Sequence, residues 1–110
     1  SMFCYPENIP REMATLFAGL RAQDCLRNLA KRSFALTAAH FLATLNAIHP
    51  FRDGNGRTQL AFVALLAHRA RRPLDLTSLE PDAFLAAMIE SFGGKEASLA
   101  LQIEQLASEA

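Results

Sequence analysis

The chain has 110 residues, 51% of them apolar and 20% charged, which is the composition of one domain able to bury a core and not of a disordered tail. No window approaches the ~18 uninterrupted apolar residues of a membrane span, and no charged stretch leads an apolar run at the start, so neither a spanning helix nor a signal peptide is expected. Eleven basic residues offset eleven acidic ones, which argues against a general nucleic-acid binder; yet ten of the basic residues and only four of the acids lie before Asp75.

The opening, Phe3-Cys4-Tyr5-Pro6-Glu7-Asn8-Ile9-Pro10, mixes aromatic and β-prone residues around a Pro-Glu-Asn turn signal and predicts an extended arm or small hairpin. Pro10 then suits the first turn of a helix in which Ile9, Met13, Leu16, Phe17 and Leu20 recur at helical spacing. A second amphipathic piece surrounds Cys25, Leu26 and Leu29, with Arg21, Arg27, Lys31 and Arg32 on its outer faces. Ser33 is placed to cap the next helix, whose stripe runs Phe34, Ala38, Phe41, Leu42, Leu45 and Ile48 and must stop there because Pro50 disfavours a helical His49. Leu60 to Ala67 is apolar on every side and predicts the buried centre of the domain, ending in cations and Pro73. Two more helices are expected near 81–92 and 95–109, separated by Gly93-Gly94, so the fold class is all-α, a single domain over 1–110. Two cysteines, Cys4 and Cys25, are too few for a disulfide framework or a cysteine-built zinc site, which fits a reduced, cytosolic-type domain.

The segment between the third and fourth helical stretches, His49-Pro50-Phe51-Arg52-Asp53-Gly54-Asn55-Gly56-Arg57, carries the chemistry. A glycine-rich loop delivers backbone N–H groups to a helix N-terminus, where four donors lack intrahelical partners and the dipole is positive, a receptor for phosphate oxygens. Gly54 and Gly56 let the backbone approach an anion with no Cβ in the way. Asp53 offers a hard carboxylate oxygen for Mg²⁺ against those phosphates, and Arg57 a guanidinium for a terminal or bridging phosphate. His49 has the pKa range to accept a proton near neutrality. These parts suit phosphoryl or nucleotidyl transfer. His40 and His68 read as structural or solvent-facing, and Arg69, Arg71 and Arg72 as answering a helix dipole.

The nine residues from His49 to Arg57 match the signature HxFx(D/E)GNGR, and the chain resembles the Fic domain family on that segment, on the preceding Leu45-Asn46-Ala47-Ile48, and on an opening like that family's flap, about residues 3–10. The resemblance implies a Fic-like helical core, shortened at its N-terminus because the family's helices before the flap are absent. It also implies transfer of AMP from ATP to a Ser, Thr or Tyr hydroxyl of a target protein. His49 would be the general base, Phe51 the anchor of the catalytic loop over 49–57, and Asp53 the Mg²⁺ ligand. Gly54, Asn55 and Gly56 would form the anion hole, Arg57 would contact the nucleotide, and the flap would pair with an extended segment of the target.

One position departs from the pattern. The family motif continues GNGRxxR, and Leu60 stands where the second arginine grips the γ-phosphate. Losing that charge-assisted bond weakens ATP positioning by about 1.5–3 kcal/mol. Alternatives therefore stay open: another nucleotide-derived donor, or a catalytically impaired module that binds nucleotide and peptide. The family's inhibitory (S/T)xxxE(G/N) segment is not found, since Ser91 is followed four residues on by Lys95, Ser98 by Gln102 and Thr77 by Pro81. A separate antitoxin-like inhibitor is one expectation. The location implied is bacterial cytoplasm, or delivery into a host cell as an effector.

Overall fold

A computed structural model describes the backbone over residues 6–48 and 55–108, with side chains placed over 7–48 and 59–108. Five α-helices account for most of it: α1 (Ile9–Ala22), α2 (Lys31–Ile48), α3 (Asn55–Arg69), α4 (Pro81–Phe92) and α5 (Ala97–Leu106). Among the described residues the only strand-like pairing is one antiparallel bridge, Leu74 with Ala107. The all-α expectation holds.

Pro6–Asn8 forms a 3-10 turn that runs straight into α1. An extended arm is therefore ruled out over residues 6–10, while Phe3, Cys4 and Tyr5 lie outside the described residues. The cause is the proline pair. Pro6 fixes φ near the helical value, and Pro10, in the first turn of α1, has no N–H to leave unsatisfied.

The expected second amphipathic helix is instead a reversal. Asp24, Cys25, Leu26 and Asn28 take φ of 52°, 53°, 65° and 64°. Left-handed residues turn the chain back within the eight positions between α1 and α2, at roughly 1–2 kcal/mol per residue. Leu26, buried to 1% exposure, offsets part of that cost. The reversal lets α2 start at Lys31, which puts Ser33 inside its first turn and not at its cap.

The central helix is α2, not α3. Phe34, Ala35, Ala38, Ala39, Phe41, Leu42, Ala43, Leu45, Asn46 and Ile48 are all buried along it, because α1, α3, α4 and α5 each pack on it. On α3, Val63, Leu66 and Ala67 face the core, whereas Leu65 is 57% exposed and Ala61 is exposed. Pro81–Phe92 has the expected bounds of α4. The last helix ends at Leu106, short of Glu109, because the next residues leave it to pair with the strand-like segment at Leu74: Asp75 N–H donates to Leu106 C=O at 2.8 Å and Ser108 N–H to Pro73 C=O at 3.2 Å.

Candidate nucleotide site at the α2–α3 junction

Ile48 is the last residue of α2 and Asn55 the first of α3, so these two helix ends bracket the motif. Asn55, Gly56 and Arg57 occupy the first turn of α3, so the helix begins two residues inside the expected loop, before Arg57. His49, Phe51, Asp53 and Gly54 lie outside the described residues.

Beneath the junction sits a polar contact that sequence reasoning missed. Asn46 and Gln59 are 2% and 1% exposed, and Gln59 Nε2 donates to Asn46 Oδ1. Asn46 Nδ2 in turn makes a weak contact to Met88 Sδ of α4 at 3.9 Å. Gln59 Oε1 meets no donor among the described residues. A buried amide is costly unless bonded, so this pair fixes how the end of α2 sits against the start of α3. The available signal was two amides at helical positions flanking the motif, one of them inside the apolar stripe of α2.

An aromatic cluster sets the same junction from the other side. Phe17 of α1 meets Phe41 of α2 and Phe62 of α3 edge-on, with centroids 5.8 Å apart in each case. Phe41 and Phe62 stack at 5.7 Å. Such arrangements follow the ring quadrupole and contribute about 0.5–1.5 kcal/mol per pair beyond area burial. Leu60, half-buried, packs against the core, so the residue that breaks the arginine pattern serves as an apolar contact.

The remaining titratable groups sit elsewhere. His40 is exposed, its Nδ1 3.0 Å from Glu96 Oε1 and 3.2 Å from Oε2, a contact between α2 and the residue before α5 that the sequence does not reveal. His68 is exposed near the end of α3. Asp75 accepts from Thr77 Oγ1, from Ser78 Oγ at 2.8 Å and from Thr77 N–H at 3.1 Å. Those bonds, Thr77's first, hold its carboxyl below the usual range. No group of three or more His, Cys, Asp or Glu able to hold a metal occurs among the described residues. No helix there is long and apolar enough to cross a membrane.

Comparison with known proteins agrees with the all-α fold. A probable protein adenylyltransferase of Sinorhizobium fredii is 54% identical over 105 residues, covering 94% of this chain and 55% of that protein. The protein adenylyltransferase VbhT of Bartonella schoenbuchensis is 34% identical over 94 residues, covering 86% of this chain and 20% of its own length. The chain thus spans about half, or less, of these curated relatives. Among solved structures, the ADP-bound N-terminal Fic domain of a VirB-translocated Bep effector from Bartonella quintana superposes with a TM-score of 0.87 at 30% identity, over 97% of this chain and 50% of that one. The model of the Fic/DOC family matches residues 1–67, and the chain belongs to that family.

Proposed function

We propose that this domain transfers AMP from ATP to a hydroxyl side chain of a target protein. The observation that supports the reading is that α3 begins at Asn55, with Asn55, Gly56 and Arg57 of the motif in its first turn, in a fold whose neighbours include an ADP-bound Fic domain. Names of relatives as protein adenylyltransferases support it.

In this reading His49 takes the proton of the target hydroxyl as its oxygen attacks the α-phosphorus. A new O–P bond forms, the bond from the α-phosphorus to the bridging oxygen breaks, and pyrophosphate leaves with the electron pair. The N–H groups of Gly54 and Gly56 and the Asn55 amide receive phosphate oxygens at the positive end of α3, and Arg57 neutralises the polyphosphate. Mg²⁺ commonly rests on one or two carboxylates plus substrate phosphates, so Asp53 alone fits as its protein ligand, where the ion would supply charge neutralisation.

Leu60 bears on the donor. An apolar side chain packed on the core gives the γ-phosphate no bond at that position, which favours either weakened use of ATP or another nucleotide-derived donor. The target would dock on the flap, although residues 6–10 are helical and do not themselves offer an edge for strand addition. A separate protein would supply inhibition, and the site of action is bacterial cytoplasm or a host cell. Incubation with α-labelled ATP, Mg²⁺ and native lysate should label a protein, and His49→Ala should abolish the label. Absence of labelling with any nucleoside triphosphate would refute the transferase reading.

A further inference from the structure

Arg27, Asn28, Arg69, Ala70 and Arg71 line a cavity of about 400 Å³ at the far end of α3. Its walls come from two unrelated segments, the 24–30 reversal and the end of α3. With 15 residues in α3, this end lies roughly 20 Å from the first turn that carries Asn55, Gly56 and Arg57. A ligand in one place cannot touch the other.

Three features make the cavity more than a few surface arginines. First, its walls are tied together. Arg72 Nε donates to Leu29 C=O at 3.0 Å and Arg72 Nη1 to Ser108 C=O at 3.0 Å, so the reversal, the end of α3 and the C-terminal segment hold one another in place. Second, the guanidiniums of Arg27, Arg69 and Arg71 have no ion-pair or hydrogen-bond partner among the described residues. Elsewhere Arg11 lies 3.9 Å from Glu12 and Arg32 3.6 Å from Glu104. Third, Arg71 stands where a helix would rather have glycine. Its φ is 64°, while its N–H donates to His68 C=O at 3.1 Å and that of Arg72 to Ala67 C=O at 2.8 Å, the hydrogen-bond pattern of a glycine-type helix end. A long side chain kept in a strained left-handed position is an outlier that points toward function. Asn28, on the opposite wall, is also left-handed at φ 64°.

We propose that this cavity is a binding site for a compact oligophosphate, separate from the candidate catalytic loop. Planar guanidiniums recognise phosphate oxygens bidentately, and three of them in one concavity match two adjacent phosphoryl groups. The lining has no aromatic ring and only Ala70 as an apolar contact, so it offers no aromatic platform for a base. A long nucleic acid is disfavoured as well, because the chain is neutral overall.

The test titrates inorganic pyrophosphate, without Mg²⁺, into the ¹⁵N-labelled chain while the arginine Nε–H resonances are followed. Saturable shifts at Arg27, Arg69 and Arg71 are expected. Arg71→Gly should weaken that binding at least about tenfold, the loss of one charge-assisted contact, while raising the melting midpoint because glycine accepts the left-handed backbone. Arg27→Gln, at an exposed position with ordinary packing demands, should weaken binding similarly without that rise. Mg·ATP binding at the α2–α3 junction should be unchanged in both variants. The proposal is overturned if the three arginines do not shift, if Arg71→Gly or Arg27→Gln retains full affinity, or if a single-stranded oligonucleotide binds a hundredfold tighter than pyrophosphate.

Discussion

Replacing Asn46 by Leu tests the polar contact beneath the motif. The side chains are close in volume, so the change creates little cavity, and its main effect is to strip Gln59 Nε2 of its acceptor in a site 1% exposed. Stranding a buried donor costs about 1–3 kcal/mol. Gln59→Leu strands Asn46 Oδ1 in the same way and at similar cost. The double variant removes both amides and leaves two apolar side chains facing each other, a change that is nearly neutral when shapes match. The two single costs therefore should not add, and the cycle should return a coupling close to their sum, about 2–6 kcal/mol. Urea unfolding of the four proteins at 25 °C reads this directly from midpoints at constant slope. Single-variant losses that sum to the double within about 0.5 kcal/mol would show that the two amides act independently and that the contact does not set the helix junction.

Other expectations follow from particular contacts. Phe62→Leu, which removes one ring from the α1–α2–α3 cluster, should cost about 1–2 kcal/mol in the same unfolding assay, whereas a loss under about 0.3 kcal/mol would mean the cluster does not tie the helices together. Leu60→Arg should raise turnover with ATP about ten- to hundredfold in the labelling assay at a small cost in melting midpoint, since the leucine is half-buried on the core; unchanged turnover would mean that the γ-phosphate is not read there. Asp75 has a folded pKa below its unfolded value of 3.8, so its stabilisation is complete above that value and is lost as pH falls through the lower folded one. Asp75→Asn should therefore melt below the parent at pH 7 and approach it as pH drops under about 3.8, and a pH-independent gap would refute the assignment.

Legibility from sequence followed the locality of each signal. Pro81 and Gly93 mark α4 within a few bonds of its ends, and both bounds of that helix were readable. The proposed phosphate chemistry of the motif rests on signals of the same local kind: glycines, an acid, an imidazole and an arginine in consecutive positions. The 24–30 reversal was not, since left-handed Asp24, Cys25 and Leu26 are imposed by packing α2 back on α1, and residues with Cβ atoms carry no local mark of it. Centrality was misjudged because uniform apolarity in 60–67 suggested burial, while the close approach of neighbours is made by small Ala35, Ala38 and Ala39 on α2, each fully buried. Gln59 escaped notice because a polar residue near a helix start ordinarily faces water.

The two ends of α3 call for opposite means of holding an anion, and the chain provides them. In the proposed site at the start of the helix the backbone itself would be the receptor: N–H groups at a helix N-terminus carry roughly half a positive charge, and glycines place no Cβ in the way of an anion. At the far end the unpaired carbonyls carry roughly half a negative charge, so an anion there is repelled unless side chains overturn the field. The three guanidiniums, unpartnered among the described residues, would do so with charge to spare, but they are exposed, and exposed charges are screened over about 8 Å at physiological ionic strength. Pyrophosphate held by Arg27, Arg69 and Arg71 should therefore weaken steeply between 50 and 300 mM salt, whereas nucleotide held by backbone amides at the α2–α3 junction should weaken much less. Equal salt slopes would mean that both anions occupy a single place, and that the helix separates nothing.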